Sequence, residues 1–157
     1  MIIRKAESQD FEEVFGLLHE FIKEHRKYDK HYYALLPGPE FKKKFRARFM
    51  KYPRSRSQFF LVAEDQGVIV GTLRGEVQER HPGFRSEKQG YISQLMTRKS
   101  HRGQGIALQL MAEALKRFRA KKIKRAVLRV DAGNLPAKKL YSKLDFCDRQ
   151  VIMTKYL

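Results

Sequence analysis

The segment FFLVAEDQGVIVGTLRGEV, residues 59 to 77, is where the chain changes period. On either side, apolar residues recur every three or four positions. Within it, two β-branched and apolar runs flank Asp65-Gln66-Gly67. A glycine-bearing turn between two such runs predicts a β-hairpin. Whatever this chain folds into must be built around that hairpin.

The flanking segments supply the remaining elements. Ile2 to Ala6 (IIRKA) is a short β-rich run. Asp10 followed by Glu13 has the spacing of a capping box, ahead of an apolar series at Phe11, Val14, Phe15, Leu18, Phe21 and Ile22. That spacing predicts an amphipathic helix ending near Tyr28. After the loop YDKHYYALLPGPE, a second helix is expected from about Pro39, with Phe41, Phe45 and Phe49 on one face and lysines and arginines on the others. Beyond the hairpin and a loop around His81-Pro82-Gly83, Gly90 to Thr97 reads as a third strand of this region. RKSHRGQG then leads into a helix with Leu108, Met111, Leu115 and Phe118 on one face. Ala126 to Val130 (AVLRV) is a strand, DAGNLPAKKLYSKLDF a loop and short helix, and RQVIMTKYL a closing strand. The order β-α-α-β-β-β-α-β-α-β predicts one α/β (α+β) domain over residues 1–157. Its mixed, mostly antiparallel central sheet should have about six to seven strands, flanked by about four helices. No repeat, linker or low-complexity segment interrupts it.

Composition narrows the partners. The formal net charge is +17, and the isoelectric point is about 10.2. Such a charge attracts polyanions: nucleic acid, an anionic membrane face or a phosphate-rich small molecule. The longest apolar stretches, such as Phe59 to Ala63, are far too short to cross a bilayer, so no membrane partner is expected. The N-terminus MIIRKAESQD turns charged at once and has no apolar signal region. Cys147 is the only cysteine, so no internal disulfide can form, which suits a reducing cytoplasm. The five histidines (His19, His25, His31, His81, His101) show no ligand spacing, and no metal is expected. Cys147, beside the closing strand, is expected to be a small buried apolar residue.

The turn Arg102-Gly103-Gln104-Gly105-Ile106-Ala107 carries the most chemistry. A P-loop would need Lys-Ser or Lys-Thr after the glycines, and none follows. A dinucleotide fingerprint would need glycine or alanine at position 108, where Leu108 stands, and an acidic residue about 20 further on, where the chain is basic. The physics those motifs share still applies. Glycines let backbone N–H groups converge at a helix start, whose positive dipole end favours a phosphate. Arg98, Lys99 and Arg102 would add charge at its mouth. An anion-binding turn is the functional reading; a turn merely shaped by glycine is the structural one.

The same six residues resemble the R/Q-x-x-G-x-G/A signature of the GCN5-related N-acetyltransferases. LMTRKSHRGQGIA resembles their strand–turn–helix, with Lys99 in place of a frequent proline. VLRVDAGNLPAKKLYSKLDF resembles their later block of strand, Asn, helix and Leu-Tyr-x-x-x-Gly-Phe, with Asp145 in place of the usual glycine. The likeness extends over nearly the whole chain. It implies acetyl-CoA as cosubstrate, with the pyrophosphate on the backbone of Gly103, Gln104, Gly105, Ile106, Ala107 and Leu108, beside Arg102. The pantetheine arm would pair like an added strand with Leu95, Met96 and Thr97, next to a splayed strand pair. Asn134 would cap the last helix and touch the cofactor.

Acetyl transfer from a thioester to a primary amine needs a neutral amine, a stabilised oxyanion and a proton for the leaving thiolate. A backbone N–H near Leu95 or Met96 could serve the oxyanion. The resemblance makes Tyr141 the general acid: an ordinary phenol, with pKa about 10, keeps its proton at neutral pH. The alternative for Tyr141 is core packing. Some family members that acetylate protein N-termini carry a glutamate on the strand before the Asn, where Arg129 stands here. Glu76, Glu79, His81 or a water chain are the replacements, and the base stays unassigned. Tyr28, Tyr32 and Tyr33 would wall the acceptor pocket or simply pack. A second class of function stays open: a basic RNA- or ribosome-associated module that keeps the fold without catalysis, docking through the lysine-rich second helix. The acceptor's identity stays open as well, as does the choice between monomer and homodimer.

Overall fold

The computed structural model describes residues 1–34, 38–80, 82–83 and 88–157. One five-stranded sheet, in the order β1-β2-β3-β4-β5, organises the chain. Its strands are β1 (Ile2–Lys5), β2 (Gln58–Asp65), β3 (Val68–Glu79), β4 (Lys88–Thr97) and β5 (Ala126–Leu128). The helices are α1 (Phe11–His25), α2 (Gly38–Phe49), α3 (Ile106–Ala120) and α4 (Leu135–Ser142). The first four strands pair antiparallel, and β5 joins β4 in parallel after the α3 crossover.

The hairpin forms as its sequence demands. Asp65 pairs with Val68, leaving a two-residue loop in which Gln66 and Gly67 have φ of 49° and 79°. Two consecutive left-handed residues give the turn whose twist matches a right-twisted strand pair. Strand β2 is apolar on both sides because helices cover both faces. Phe59, Leu61 and Ala63 pack with Leu110, Met111 and Phe118 of α3. Phe60 and Val62 meet Phe11, Val14 and Phe49 from α1 and α2. The Phe41, Phe45 and Phe49 stripe is core: Phe45 stacks at 6.1 Å from Phe11, and Phe41 at 5.4 Å from Phe15.

Two expectations are corrected. The Asp10 carboxylate does not cap α1. It accepts two bonds from Arg4, at 2.7 and 2.9 Å, and one from the Glu7 N–H at 2.7 Å. Buried, it makes no side-chain bond to the start of α1. Although burial opposes its charge, Arg4 and the Glu7 amide hold its pKa below the usual carboxylate range. Glu13 is drawn away too: it accepts the Ile69 N–H at 2.9 Å, beside the bulge where the β2–β3 register shifts.

The second correction concerns the closing strand. Residues 149–157 form no strand, so the sheet has five strands where about six to seven were expected. β5 is only three residues long and offers little edge on which another strand could register. The tail's side chains find no apolar face, with Val151 and Met153 88% and 92% exposed. The Tyr156 hydroxyl instead donates to Asp29, in the segment after α1. Cys147, expected to be buried, is exposed at the start of this tail.

Candidate functional site

The sheet divides at one point. β4 pairs with β3 along its whole length, as far as Thr97 opposite Gly71, but with β5 only from Gly90 to Ile92. The β3–β4 register shifts between Arg74 and Gly75, which leaves Ser93 as the extra residue on β4. The bulge therefore sits at the first position where β5 has parted. Beyond it, Leu95, Met96 and Thr97 have β3 on one side and, among the described residues, no strand on the other. Their side chains anchor the strand. Leu95 packs towards α3, and Met96 is buried against Leu17 and Leu18 of α1. A rigid strand with one bare edge can take an extended, amide-bearing chain as a neighbour.

The glycine turn follows that edge directly. Gly103 and Gly105 have φ of 81° and 76°, left-handed values that other residues adopt only at a cost. A Cβ on either would meet nothing within 4 Å, so the fold needs their backbone angles and leaves the space above them clear. Gly105 is the N-cap of α3, and no side chain caps that end. The backbone from Gly103 to Leu108 thus presents the bare positive end of a 15-residue helix. The flanking charges are less free than their sequence suggests. Arg98 is turned back, donating to the Ile69 carbonyl at 3.3 and 3.2 Å. Arg102 donates to the Thr97 carbonyl at 3.3 Å and pairs with Glu24 of α1 at 2.5 Å.

Across the parting lies α4. Asn134 caps it, its Oδ1 accepting the Ala137 N–H at 3.3 Å. Tyr141 lies about two helix turns further on, packed against the α3 core and 6.0 Å from the Phe146 ring. Burial pushes its phenol up to about 12. The Asn134 Nδ2 faces His25 Nε2 at 3.5 Å, while His25 Nδ1 lies 2.9 Å from the Phe21 carbonyl. The carbonyl fixes the proton on Nδ1, so Nε2 is the acceptor for the amide. Tyr33 donates to Asp131 at 2.8 Å, and burial followed by this carboxylate raises its pKa well above the ordinary phenol value. Tyr28 packs edge-on against His25 at 5.4 Å, whereas Tyr32 is exposed.

Helix α1 links the three parts: Leu17 and Leu18 pack on Met96, Glu24 pairs with Arg102, and His25 meets Asn134. Sequence reasoning had not singled out His25, Asp131 or Glu24. Their contacts span 109, 98 and 78 residues, beyond the reach of any local pattern. Of the base candidates, Glu76 is engaged by Arg74 at 3.0 Å and Gln78 at 2.7 Å. Glu79 is exposed at the far end of β3, and His81 lies outside the described residues. Arg129 is exposed just beyond β5.

The model of the acetyltransferase (GNAT) family matches residues 14–146. The chain belongs to that family. Its sequence is 30% identical over 100 residues to the N-alpha-acetyltransferase MAK3 of Arabidopsis thaliana, an alignment covering 64% of this chain and 50% of that protein. The chain thus spans about half the length of that relative. In fold it is similar to a tetramutant of the BH1408 protein from Bacillus halodurans, with a TM-score of 0.85, 24% identity and both chains fully covered. It also resembles the aminoglycoside N-acetyltransferase AAC(6′)-Iy in complex with CoA, with a TM-score of 0.78, 18% identity, and 99% and 93% of the two chains covered. Those two likenesses concern the fold.

Proposed function

We propose that this chain is an N-acetyltransferase that moves the acetyl group of acetyl-CoA to a primary amine, with a protein N-terminus as the first acceptor class to test. The observation that carries the reading is the parting of β4 from β5 beside an uncapped helix N-terminus. An extended amide-bearing arm ending in a pyrophosphate fits that combination of a bare strand edge and converging N–H groups. Leu95, Met96 and Thr97 would hold the arm, Gly103 to Leu108 the phosphates, and Asn134 would orient the arm from the other wall. Acetyl-CoA supplies an activated thioester.

The chain's own groups would then do three things. A backbone N–H at Leu95 or Met96 takes the charge that builds on the carbonyl oxygen as the amine nitrogen bonds to the carbonyl carbon. Tyr141, whose phenol stays protonated at neutral pH with its pKa near 12, gives its proton to sulfur as the carbon–sulfur bond breaks. The proton leaving the amine passes to water, because no carboxylate among the described residues is free at the cleft in the role the family's glutamate fills. The acceptor class rests on the 30% identical relative, an N-alpha-acetyltransferase. Cys147, single and exposed, accords with a reducing, cytoplasmic setting. No helix among the described residues is long and apolar enough to cross a membrane.

The test is an acceptor panel read by thiol release. It should compare peptides differing in their first two residues with a polyamine and an aminoglycoside. Acetylation of at least one peptide α-amine, located by fragment mass, is the expected result. Turnover only of the small amines would remove the N-terminal reading and keep the transferase. Thiol release from no acceptor would favour a binding module.

A further inference from the structure

Two stretches of this chain are basic and contain no acidic residue: residues 42–57 and 116–125. The fold joins the end of one to the end of the other. Lys121 Nζ donates to the Arg56 carbonyl across 65 residues, which seats the loop before β2 against the C-terminal end of α3. Arg54, Arg56, Arg119, Lys121, Lys122 and Lys124 are all exposed there. None of the six takes part in an ion pair among the described residues. The lysine-rich helix α2 is different. Its Lys42 pairs with Glu12 at 2.8 Å, Lys44 with Glu40 at 2.7 Å, and Arg46 with Glu12 at 3.9 Å. The six cations where the two runs meet thus have no ion pair among the described residues, whereas part of the charge on α2 is offset.

One backbone angle lies within this charged surface. Helix α3 ends with the Ile123 N–H on the Phe118 carbonyl at 3.0 Å, and the residue between cap and closure, Lys122, has φ of 58°. That closure strongly favours glycine at the left-handed position. A lysine held there keeps a cation at the expense of backbone comfort, an arrangement that points to use of the charge. The helix dipole alone accounts for only about half a unit of charge at this end.

We propose that this surface binds RNA through its phosphate backbone. It lies at the opposite end of α3 from the glycine turn, about 22 Å along a 15-residue helix, so RNA and cofactor can be held together. A membrane is a poorer match, because stable attachment to lipid usually adds apolar side chains that insert beside the cations. The exposed large apolar residues are at Met1, Ile2, Tyr32, Val68, Leu135 and the tail, none within this cluster. The cluster itself also contains no aromatic side chain, so contact is made to phosphates and carries no base preference.

The experiment uses the full chain and a labelled oligouridine of about 20 nucleotides, followed by anisotropy across a salt series. For single strands the slope of log K against log salt is about −0.7 per phosphate engaged, so about five contacts give a slope near −3.5. Arg54→Gln, Arg56→Gln, Lys122→Gln and Lys124→Gln together leave the Lys121 tie intact. They should reduce that slope by about 2 to 3 and weaken binding more than tenfold near physiological salt, with acetyl-CoA affinity unchanged. Lys42→Gln, Lys43→Gln and Lys44→Gln together should change the slope by less than about 1. Lys122→Gly separates charge from fold, raising the melting temperature by about 2 to 4 °C while lowering the slope by about 0.7. The proposal is overturned by an unchanged slope in the fourfold variant, or by a larger loss in the α2 variant. Tighter binding of phosphatidylserine vesicles or polyglutamate at the same salt would overturn it too. No turnover is measured, so the result is independent of the transferase reading.

Discussion

Helix α3 is bounded at both ends by left-handed backbone, yet the residues chosen there are opposite. Gly103 and Gly105 precede it, at φ of 81° and 76°; Lys122 follows it, at 58°. At the first end the left-handed angles are unstrained, no side chain covers the amides, and the charges nearby are turned to other partners. At the second end a strained lysine stays in place and the neighbouring cations are unpaired. A further left-handed position, Asp145 at 60°, closes α4 through the Phe146 N–H on the Tyr141 carbonyl at 3.1 Å. Comparable local geometry is thus met by glycine where the backbone must stay bare, and by a charged residue where it need not. Left-handed angles alone do not mark a site; what stands beside them does.

The comparison can be sharpened first at Tyr141, whose carbonyl serves that α4 closure and whose phenol is the proposed proton donor. Tyr141→Phe keeps the ring and the closure and removes one oxygen. If the phenol protonates the leaving thiolate, kcat should fall by about 10²- to 10⁴-fold with little change in the acetyl-CoA dissociation constant. Lost affinity with kcat intact would instead make Tyr141 a binding contact, and no change in either would make it a packing residue. With its pKa at about 12, this group should impose no alkaline decline in kcat up to a pH of about 10. The same shift has a stability sign. The folded pKa exceeds the unfolded value, so the contribution is complete below about pH 10 and is lost as pH rises towards 12.

A test of the bare end comes next. Gly105→Glu places a carboxylate where converging amides should receive phosphate and forces a left-handed angle on a residue with a Cβ. Calorimetric affinity for acetyl-CoA should weaken by at least about 10²-fold, about 2.7 kcal/mol. Unaltered affinity would show that the phosphates lie elsewhere. The smallest effect belongs to the end that tolerates strain. Asp145→Gly relieves φ of 60° and should raise unfolding free energy by about 0.5 to 1 kcal/mol in denaturant titration. A loss of stability would mean that the Asp145 carboxylate serves the fold in its own right.

Much of the fold was legible because its signals are local. The hairpin, the α1 apolar series and the Phe41, Phe45 and Phe49 stripe each follow from spacing within one element, and the glycine turn stood out by the φ angles it requires. The closing strand was misread because VIM and TKYL are β-prone while the partner edge, β5, stops at three residues. Pairing is a property of two segments, and only one of them was in view. The capping box failed for a similar reason: Asp10 had a competing partner in Arg4, and Glu13 one in Ile69, on strands the local pattern does not include. The cleft's far wall, with His25 on Asn134 and Tyr33 on Asp131, joins segments 109 and 98 residues apart. Nothing in either segment announces the other.

Those last two contacts have a mechanical consequence. α1 and α4 lie on opposite faces of the sheet, and the strands between them have parted; His25–Asn134 and Tyr33–Asp131 act as struts across the gap. The Asn134 amide is held from both ends, its oxygen by Ala137 and its nitrogen by His25, so it cannot turn over without losing one partner. These contacts tie the two walls of the proposed site together in the folded chain. A slot of fixed gauge asks its guest to give up freedom while the host gives up almost none, and the ordering entropy of the walls is absent from the free energy of association.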